Sequence, residues 1–516
     1  MRTSLLLVLF LMPGIVLADI SVAPIFSEGV VLQRGAACPI WGRALAGKKI
    51  TVKFGDVFTG STVADSSGDW SLSLPVLKPS SKPRTIQVTG TSEITINDVL
   101  VGDVYYAGGQ SNMAMTVGAC AKSLDEMVTI AAESDFPAIR FTRIADGPSS
   151  QPLTWLKSNP KWTKCSPESV KKFSAAAFCC ARRMHLETNV PIGIVDVSRG
   201  GTPIEPFIPR SAFVDHPTLV REAELGDKDD LAALQRLPGG VRARDANWLP
   251  GRLFNSRLAP IAMDRSRRFV SAGVLWYQGE SNCGKIEDPR DYQVKMQALI
   301  ASWLVRLSEK QNPFCFVQLP GSGAGPNWPY LREQQRLASI SKDHTVGMVV
   351  TIDLEHPSIH PPNKIDVGER MAAFMLAHNA NYAKGRGLPF NGPVFESATT
   401  IKNKVVIRFQ SANDGSASAD LMIAEKNGVE PATETPNATL NHFEVLDTNG
   451  NWHAADASIV GDRIEVVAAN VKTPIAARYA YAISPSKCNL YSRSGFPASP
   501  FCTRPELQKV DPGLPE

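Results

Sequence analysis

Four polar turns in the middle of the chain carry the side chains that acyl transfer requires. Each turn follows a short apolar run, and the turns cover residues 108–113, 198–202, 278–282 and 353–364. Together they supply a serine hydroxyl, flexible backbone N–H groups, side-chain amides, an imidazole and carboxylates. A serine attacks a carbonyl only when a base accepts its proton, and the intermediate that forms needs fixed hydrogen-bond donors. The four turns therefore favour a site for acyl transfer.

Ser111 is the predicted nucleophile and His360 is the predicted general base. Ser111 comes directly after the apolar run 99–107, where a strand-to-helix turn can expose its hydroxyl group. The plainer alternative is that Ser111 only caps a helix. His356 is the rival base, but the prolines around these two histidines argue against a helix that would pair them on a metal. We expect neither a metal nor a cofactor.

An α/β domain is expected to position these turns. Five apolar runs alternate with amphipathic helical patterns, and they cover residues 99–107, 192–197, 269–276, 314–319 and 346–352. Apolar strands separated by such helices indicate a mostly parallel sheet. Ligands of open parallel sheets bind beyond the carboxyl ends of the strands, where the polar turns lie. We expect residues 99–385 to form this catalytic domain.

The regions on both sides of this domain have the two-residue alternation of half-buried strands. Residues 49–54 are an example before the catalytic domain, and residues 404–409 are an example after it. Alternation broken by turn residues is typical of antiparallel sheets. We expect an N-terminal β-sandwich over 19–98 and a β-rich region over 386–516.

The N-terminal segment 1–18 is predicted to be a secretory signal peptide. Arg2 precedes a short apolar run, 5–12, and small or apolar residues lead to a cleavage position after Ala18. The run is too short to span a bilayer, and we expect no membrane span. The secretory pathway also makes the sequon that begins at Asn437 a candidate glycosylation site.

The net charge bears on whether the chain binds nucleic acid, and the cysteine count bears on whether it forms disulfide bonds. Lys plus Arg total 54 and Asp plus Glu total 50, so the net charge of +4 indicates no nucleic-acid partner. Nine cysteines in a secreted chain predict several disulfide bonds and at least one unpaired thiol. The expected bridges are Cys488–Cys502 and Cys120–Cys283. Cys180 and Cys315 are the candidates for an inert buried thiol.

The order of the motifs resembles the sialate O-acetylesterases of the SGNH-hydrolase superfamily. The matching motifs are GQSNM at 109–113, GGTPIE at 200–205, WYQGESN at 276–282 and IHP at 359–361 with Lys364, with weaker matches at 31–34 and 496–501. The resemblance implies a three-layer SGNH-type catalytic domain flanked by β-sandwich-like regions. It also implies an esterase that removes O-acetyl groups from sialic acids, such as 9-O-acetyl-N-acetylneuraminate, through an acetyl-serine intermediate. A lysosomal or extracellular location would follow.

The carboxylate that completes the triad stays open at this point. Many superfamily members have an aspartate three residues before the histidine, but Pro357 occupies that position here. Asp353, at the end of the preceding apolar run, is the favoured candidate. Glu280 is the alternative, because related carbohydrate esterases place a carboxylate in that turn. Glu355 and Asp366 are weaker candidates.

The remaining site residues are expected to bind the oxyanion and the substrate. The predicted oxyanion donors are the Ser111 backbone N–H, the backbone of Gly200 or Gly201, and the Asn282 side chain. The predicted substrate contacts are Gln110, Arg199 and Gln278. Arg199 replaces the tryptophan associated with this turn in the family. It is either a donor to the sialic-acid carboxylate or a solvated side chain.

Two other functions compete with this one. The same catalytic residues would serve an acetylesterase that acts on other polysaccharides, such as acetylated xylan. A non-catalytic carbohydrate-binding protein on a hydrolase scaffold is the alternative from a different class. The presence of Ser111, His360, Gly201 and Asn282 argues against that last hypothesis.

Overall fold

The computed structural model describes most of the chain after the predicted leader. The described residues are 20–214, 219–228, 230–236, 248–283, 289–307, 312–322, 325–340, 345–378, 389–411 and 420–504. The predicted signal peptide and its cleavage position lie outside these ranges.

The N-terminal region consists of strands that form two sheets. The strands are β1 (Ser21–Val22), β2 (Val31–Gln33), β3 (Cys38–Arg43), β4 (Lys49–Phe54), β5 (Phe58–Val63), β6 (Asp69–Leu74), β7 (Ser80–Thr89) and β8 (Glu93–Gly109). One sheet has the order β1-β3-β6, and in the other β4 pairs with β5 and β7 while β7 and β2 pair with β8. Alternation along β4 buries Ile50, Val52 and Phe54 and leaves Lys49 and Lys53 exposed, as the two-residue period predicts.

The central sheet is parallel over six neighbouring strands. The strands that follow β8 are β9 (Ile139–Arg143), β10 (Thr163–Lys164), β11 (Ile192–Asp196), β12 (Ala262–Asp264), β13 (Arg267–Arg268), β14 (Gly273–Tyr277), β15 (Phe314–Val317) and β16 (Val346–Val349). The sheet order is β10-β9-β11-β8-β14-β15-β16, and every pair except β10 with β9 is parallel. Each of the five predicted apolar runs coincides wholly or in part with one strand of this sheet.

Helices connect and cover the central strands. The α-helices are α1 (Ser111–Ala114), α2 (Val117–Cys120), α3 (Asp125–Ala132), α4 (Ala175–Thr188), α5 (Arg210–Val214), α6 (Val220–Asp227), α7 (Leu231–Gln235), α8 (Tyr292–Leu307), α9 (Trp328–Ser339) and α10 (Lys364–His378). Short 3-10 turns lie at Ser169–Lys172, Glu205–Phe207, Ala259–Ile261, Glu280–Asn282 and Pro289–Asp291, and a π turn lies at Phe254–Leu258. The Ser174 side chain caps α4 by accepting a hydrogen bond from the Ala177 N–H. Asn189, with φ of 55°, ends that helix in the left-handed conformation.

The C-terminal region is formed by antiparallel strands. They are β17 (Pro393–Ile401), β18 (Lys404–Ser411), β19 (Leu421–Glu425), β20 (Thr433–Glu434), β21 (Phe443–Leu446), β22 (Trp452–Ala454), β23 (Asp456–Val460), β24 (Arg463–Val467), β25 (Ala476–Tyr479), β26 (Leu490–Ser492) and β27 (Phe501–Cys502). They form sheets of order β17-β18-β24-β23, β20-β19-β26 and β22-β21-β25-β27.

One strand joins the N-terminal region to the catalytic sheet. β8 pairs with β7 through its first half and with β11 and β14 through its second half. The predicted boundary between residues 98 and 99 therefore falls inside a continuous strand. The main cluster of buried hydrophobic residues likewise extends from Ile20 to Phe501 without a break between regions. Across the described ranges, no helix has the length and apolar content that crossing a membrane requires.

The predicted disulfide bonds are absent from the structure. All nine cysteines lie in the described part of the chain and are buried, and no disulfide bond joins any of them. Neither Cys488–Cys502 nor Cys120–Cys283 is a bridge. Cys180 and Cys315 are fully buried, as expected for inert thiols, but so are most of the others. Cysteine often packs as a small apolar side chain, and the packing here accommodates all nine in that way.

Candidate active site

The structure brings Ser111 and His360 together, although they lie far apart in the chain. The Ser111 Oγ lies 2.8 Å from the His360 Nε2. Ser111 is the first residue of α1, and His360 lies on the exposed loop before α10. Because a neutral imidazole with its proton on Nδ1 has an acceptor at Nε2, this contact suits proton transfer from the hydroxyl group.

A close backbone approach fixes the turn that presents Ser111. Gly109 ends β8 with φ of +125°, and a Cβ atom there would lie 2.0 Å from the Tyr277 carbonyl oxygen. The Gln110 N–H donates to that same carbonyl at 3.0 Å. Only glycine fits such a position, so the sequence GQS places the serine at the end of the strand.

The site lies where the strand order reverses around β8. The chain visits β9 and β11 on one side of β8 and then β14, β15 and β16 on the other. Such a switch point opens a crevice at the carboxyl ends of the strands. Gly200 follows β11, and a Cβ atom on it would lie 3.8 Å from the Ser111 Cβ. Gly201, with φ of +65°, is exposed and follows it in the chain, so of the two predicted glycines it is Gly200 that lies at the nucleophile turn.

Buried amides connect the three turns around Ser111. Gln278 donates to the Gln110 Oε1 at 3.1 Å and to the Asn282 Oδ1 at 2.7 Å. The Ile204 N–H also donates to the Asn282 Oδ1, at 3.0 Å. Gln110 and Gln278 are 2% and 0% exposed. They therefore brace the turns from within, and the prediction that they contact substrate is not supported by their position.

Asn112 joins the nucleophile turn to the histidine loop. Its Nδ2 donates to the Glu280 Oε1 and, at 2.9 Å, to the Ile359 carbonyl oxygen. Its Oδ1 accepts from the Lys364 Nζ at 2.8 Å, and the same Nζ donates to the Pro361 carbonyl at 2.5 Å. The residues on both sides of His360 are thereby fixed to the residue after Ser111. We call Asn112, Glu280 and Lys364 the buried clasp.

The buried clasp also sets the electrostatics of the base. Burial and the charge of Lys364 lower the pKa of His360 below its ordinary value of 6.5. His360 is therefore neutral at pH 7 and able to accept a proton. Burial lowers the pKa of Lys364 itself to about 8, and burial raises the pKa of Glu280.

Asp353 is not placed to orient His360, so the favoured prediction for the third residue is corrected. Both of its carboxylate oxygens face Arg370, at 2.7 and 2.6 Å, and one also accepts from the Tyr491 hydroxyl at 3.0 Å. None of these contacts involves His360. A guanidinium from α10 and a tyrosine from β26 occupy the Asp353 carboxylate.

Glu280, the alternative candidate for the triad carboxylate, lies in surroundings that differ from those of Asp353. Its Oε2 is buried without a hydrogen-bond partner among the described residues. Within the same part of the chain, the Nδ1 of His360 has no hydrogen-bond partner either, since its only contacts are through Nε2 and the backbone N–H. Glu280 and the His360 loop are the two groups that the Asn112 Nδ2 bridges.

The rival base and the two weaker candidates for the triad carboxylate contact groups other than Ser111 and His360. The His356 Nδ1 accepts from the Ser358 N–H at 3.0 Å, so His356 supports the loop and does not face Ser111. Glu355 accepts from the Lys487 N–H at 2.9 Å, and Asp366 pairs with Lys426 at 2.9 Å. None of these three is a partner of His360.

Arg199 lies at the rim of the site. Its backbone N–H donates to the Gly109 carbonyl at 2.9 Å, and its guanidinium lies 5.3 Å from the centre of the Trp248 ring. The side chain is partly exposed. Stacking on an aromatic face holds a guanidinium without occupying its N–H donors, and no described residue accepts from the Arg199 guanidinium.

Sequence reasoning missed Asn112 as a part of this site. It also missed the buried pair of Glu205, which accepts from the Asn282 Nδ2 at 2.9 Å, and Lys295, whose Nζ lies 2.9 Å from the Glu205 Oε1. Asn112 and Glu205 lie inside the motifs that were recognised, but a motif does not reveal which distant group a side chain meets. Lys295 lies on the buried face of α8, where the periodic pattern predicts an apolar residue. A charged residue on an apolar helix face was the available signal. As for metals, the described residues contain no group of three or more His, Cys, Asp or Glu side chains arranged as ligands.

The sequence and the fold both match carbohydrate esterases. A family model described as carbohydrate esterase, sialic acid-specific acetylesterase, matches residues 101–377, which is more than half of the chain and contains the Ser111–His360 pair. The chain belongs to this family. It is therefore a carboxylic ester hydrolase, and the resemblance inferred from the motifs is confirmed.

Similar proteins extend the match over nearly the whole chain. The sialate O-acetylesterase of Pongo abelii is 25% identical over 95% of this chain and 93% of that protein. The sialate O-acetylesterase of Homo sapiens is 25% identical over 93% of this chain and 91% of that protein. The crystal structure of a carbohydrate acetylesterase from Xanthomonas citri superposes with a TM-score of 0.77 at 28% identity, covering 94% of this chain and 99% of that one. The esterase thus resembles these proteins in its flanking β regions as well as in its catalytic domain.

Proposed function

We propose that this esterase removes O-acetyl groups from sialic acids, including the 9-O-acetyl group of N-acetylneuraminate, through an acetyl-serine intermediate. The observation that carries the proposal is the 2.8 Å contact between the Ser111 Oγ and the Nε2 of a histidine whose pKa is lowered. The names of the mammalian relatives supply the sugar. The proposal includes an SGNH-type three-layer catalytic domain.

The reaction has two halves. The Ser111 Oγ attacks the acetyl carbonyl carbon while His360 takes the hydroxyl proton, which gives a tetrahedral oxyanion. The oxyanion is bound by the Ser111 backbone N–H, the Gly200–Gly201 backbone and the Asn282 side chain. Collapse breaks the bond to the sugar oxygen, which receives the proton from His360. Water then attacks the acetyl-serine while His360 takes its proton. Collapse breaks the bond between the acetyl carbon and the Ser111 Oγ, His360 returns the proton to that Oγ, and acetate leaves.

We infer that Glu280 is the carboxylate that supports His360. Its Oε2 and the Nδ1 of His360 are polar atoms without partners in the described residues, on two elements that Asn112 holds together. Hydrogen bonds between catalytic groups are often loose before substrate binds and tighten in the complex. A small movement of the His360 loop toward Glu280 would complete the triad.

We also propose that Arg199 binds the sialic-acid carboxylate. A guanidinium stacked beside the nucleophile turn offers paired N–H donors to a carboxylate. Replacement by glutamine should raise the KM for 9-O-acetyl-N-acetylneuraminate about 10-fold to 100-fold, the equivalent of about 1.5–3 kcal/mol for a hydrogen bond to a charged group. The KM for acetylated xylan, which lacks this carboxylate, should change less than about 3-fold. An equal effect on both substrates would remove Arg199 from sialate recognition.

The first experiment is hydrolysis of an aryl acetate such as 4-nitrophenyl acetate. Ser111→Ala should lower kcat by at least about 10³-fold, because removal of a triad member leaves only the contribution of the oxyanion hole and binding. Ser123→Ala, at an exposed serine on the turn after α2, is the matched control and should behave as the parent protein. If Ser111→Ala retains parental activity, the proposed mechanism is wrong.

The second experiment compares natural substrates. Acetate release from 9-O-acetyl-N-acetylneuraminate should have a higher kcat/KM than release from acetylated xylan. The reverse order would favour the polysaccharide acetylesterase. Absence of turnover on every acetate ester would favour a carbohydrate-binding protein.

The proposal places the mature esterase in the secretory pathway, in the lysosome or outside the cell. Asn437 is exposed on a turn after β20, so an oligosaccharide there would meet solvent. Intact mass of protein expressed in a secretory host, with and without glycosidase, tests this together with cleavage after Ala18.

A further inference from the structure

A buried ion pair contacts Asn282, one of the proposed oxyanion donors. The Glu205 side chain is fully buried in the 3-10 turn Glu205–Phe207, which follows Gly200 and Gly201 in the chain. Its Oε1 accepts from the Asn282 Nδ2 at 2.9 Å and from the Lys295 Nζ at 2.9 Å. Lys295 is 2% exposed. Burying both charges is costly, and their mutual contact offsets part of that cost.

The contacts of the Asn282 side chain with the described residues use both lone pairs of its oxygen but only one of its two N–H donors. A side-chain amide has two N–H donors and an oxygen with two lone pairs. The Oδ1 of Asn282 accepts from the Ile204 N–H and from the Gln278 Nε2. One N–H donates to Glu205. Among the described residues nothing accepts from the other N–H, which therefore remains for a substrate oxyanion.

The carboxylate of Glu205 decides which way this amide faces. An ionised carboxylate only accepts hydrogen bonds, so the nitrogen of Asn282, and not its oxygen, must face it. The two donors on the other side require the oxygen there. A flip of the amide, which exchanges its oxygen and its nitrogen, would break all three contacts and would present an oxygen lone pair to the oxyanion.

We propose that Glu205 is a positioning residue for the reaction: held by Lys295, it orients the Asn282 amide so that its remaining N–H donates to the oxyanion. The inference rests on the proposed function, in which Asn282 is an oxyanion donor. Glu205 itself touches neither the substrate nor Ser111. Its effect on the rate passes through Asn282.

A neighbouring carboxylate separates positioning from simple support of the fold. The Glu222 Oε2 on α6 lies 3.2 Å from the same Lys295 Nζ. Burial raises the pKa of Glu222 to about 7, with Lys295, Glu205 and Asp291 as the charged groups around it. Glu222 is as buried as Glu205 and shares its lysine, but none of the described contacts joins it to Asn282. If the cluster only held α6 and α8 in place, both carboxylates would matter equally.

The experiment measures kcat and KM for 4-nitrophenyl acetate. Glu205→Met with Lys295→Met removes the acceptor and its counter-ion together. Glu222, which also pairs with Lys295, has a pKa that burial already raises to about 7, so in this variant it can be protonated and neutral. This double variant should lower kcat about 10-fold to 100-fold, part of the roughly 10²–10³-fold effect of one oxyanion donor, with KM changed less than about 3-fold. Glu205→Gln keeps an acceptor oxygen and should retain kcat within about 5-fold. Glu222→Gln is the matched control and should stay within about 3-fold of the parent.

A double-mutant cycle gives the deciding readout. In an Asn282→Ala background, loss of Glu205 and Lys295 should lower kcat no further, because the group they orient is gone. A full additional loss in that background would overturn the inference, and so would an equal loss in Glu222→Gln. If the double Met variant does not fold, Glu205→Asp, which withdraws the carboxylate from Asn282 and keeps the charge, carries the same predictions.

The two proposals fail separately. If Ser111→Ala remains active, the proposed mechanism fails. If Ser111→Ala is inactive but Glu205→Asp has parental kcat, the mechanism stands and only the role of Glu205 is lost. If Asn282→Ala also has parental kcat, the serine mechanism stands, but Asn282 is removed from the oxyanion donors and Glu205 loses its role with it.

Discussion

At the scale of single residues, the two candidate acids differ in what surrounds them rather than in chemistry. Asp353 has a guanidinium on both oxygens and a tyrosine hydroxyl on one. Glu280 has one oxygen on Asn112 and the other without a partner in the described residues. The contacts of Asp353 stabilise the fold, whereas Glu280 keeps an acceptor oxygen for the His360 imidazole, which becomes charged during the reaction. Substitution should therefore separate a stability effect from a rate effect.

Glu280→Gln and Asp353→Asn should have opposite consequences. Glu280→Gln removes the charge that supports the imidazolium and should lower kcat about 10²-fold to 10⁴-fold, while the protein remains folded. Asp353→Asn leaves the buried Arg370 without a carboxylate and should destabilise the fold by about 3–5 kcal/mol. The kcat of its folded fraction should stay within about 5-fold of the parent. Denaturant unfolding and steady-state kinetics at a single fixed temperature measure both quantities.

Each variant serves as the control for the other, because both replace a buried carboxylate by its amide. Loss of kcat in a folded Asp353→Asn protein, with normal kcat in Glu280→Gln, would return Asp353 to the triad.

The pH dependence of the reaction should report on Lys364. His360 must be neutral to accept the serine proton, and its lowered pKa places the acidic limb of kcat/KM below pH 6.5. Lys364→Met removes a positive charge that lowers this pKa, so the acidic limb should move to higher pH. The measurement is the pH profile of kcat/KM on an aryl acetate. Lys122→Met, at an exposed lysine, is the matched control and should leave the profile unchanged.

The same lysine should make stability depend on pH in a definite direction. The pKa of Lys364 falls from 10.5 to about 8 on folding. Between these values the unfolded chain binds the proton and the folded chain does not, so the free energy of unfolding should rise with pH across this window. The difference between the parent and Lys364→Met isolates this contribution from other titrating groups. A profile that is identical in both proteins would contradict a lowered pKa of Lys364 in the folded protein.

Residue types and their order predicted Ser111 and His360 because each follows an apolar run in a recognisable turn. The same reasoning chose Asp353 wrongly, because position at the end of a strand says nothing about Arg370 on the next helix or about Tyr491 in the C-terminal region. It also missed the contact of Lys295 with Glu205, which depends on how α8 packs. The chain order identifies candidates for a site, whereas three-dimensional packing decides which polar groups satisfy each other.

At the scale of elements, β8 determines where the chemistry takes place. Its neighbours β11 and β14 are parallel to it and end at the same edge, so the turns after all three strands meet. The apolar runs predicted these strands. The sequence pattern did not predict that β8 begins in the N-terminal sheet, because the alternation of a half-buried strand changes into an unbroken apolar run within one element. The buried clasp then fixes the His360 loop, which precedes α10, to the turn after β8.

At the scale of the whole molecule, the C-terminal strands support the histidine loop. Tyr491 of β26 donates to Asp353, and the Lys487 N–H donates to Glu355. The Asn363 side chain donates to the Gly428 carbonyl at 3.3 Å. These contacts fix the loop on both sides of His360 from a region much further along the chain. The continuous hydrophobic cluster implies that the regions fold as one cooperative body.

A count of reactive thiols tests whether the chain is stabilised by packing without disulfide bonds. Burial raises the pKa of Cys120 to about 11 and of Cys165 to about 12, and it raises those of Cys179 and Cys180 as well. The reactive thiolate is therefore rare in the folded protein at neutral pH. A thiol reagent should react slowly with the native esterase. After unfolding in guanidinium without reductant it should count nine thiols per chain, the number in the sequence.

A reductant should also leave the thermal midpoint of the esterase unchanged within about 1 °C, whereas loss of a disulfide bond typically costs about 2–5 kcal/mol and would lower it by several degrees. Protein reduced before unfolding provides the reference count. A count of seven or fewer in the unreduced sample would mean that a secretory environment has formed a bridge, with Cys488 and Cys502 as the first pair to map by peptide mass. Nine thiols would instead mean that buried cysteines act as ordinary core side chains, and that the His360 loop depends on hydrogen bonds and packing from the C-terminal region for its position.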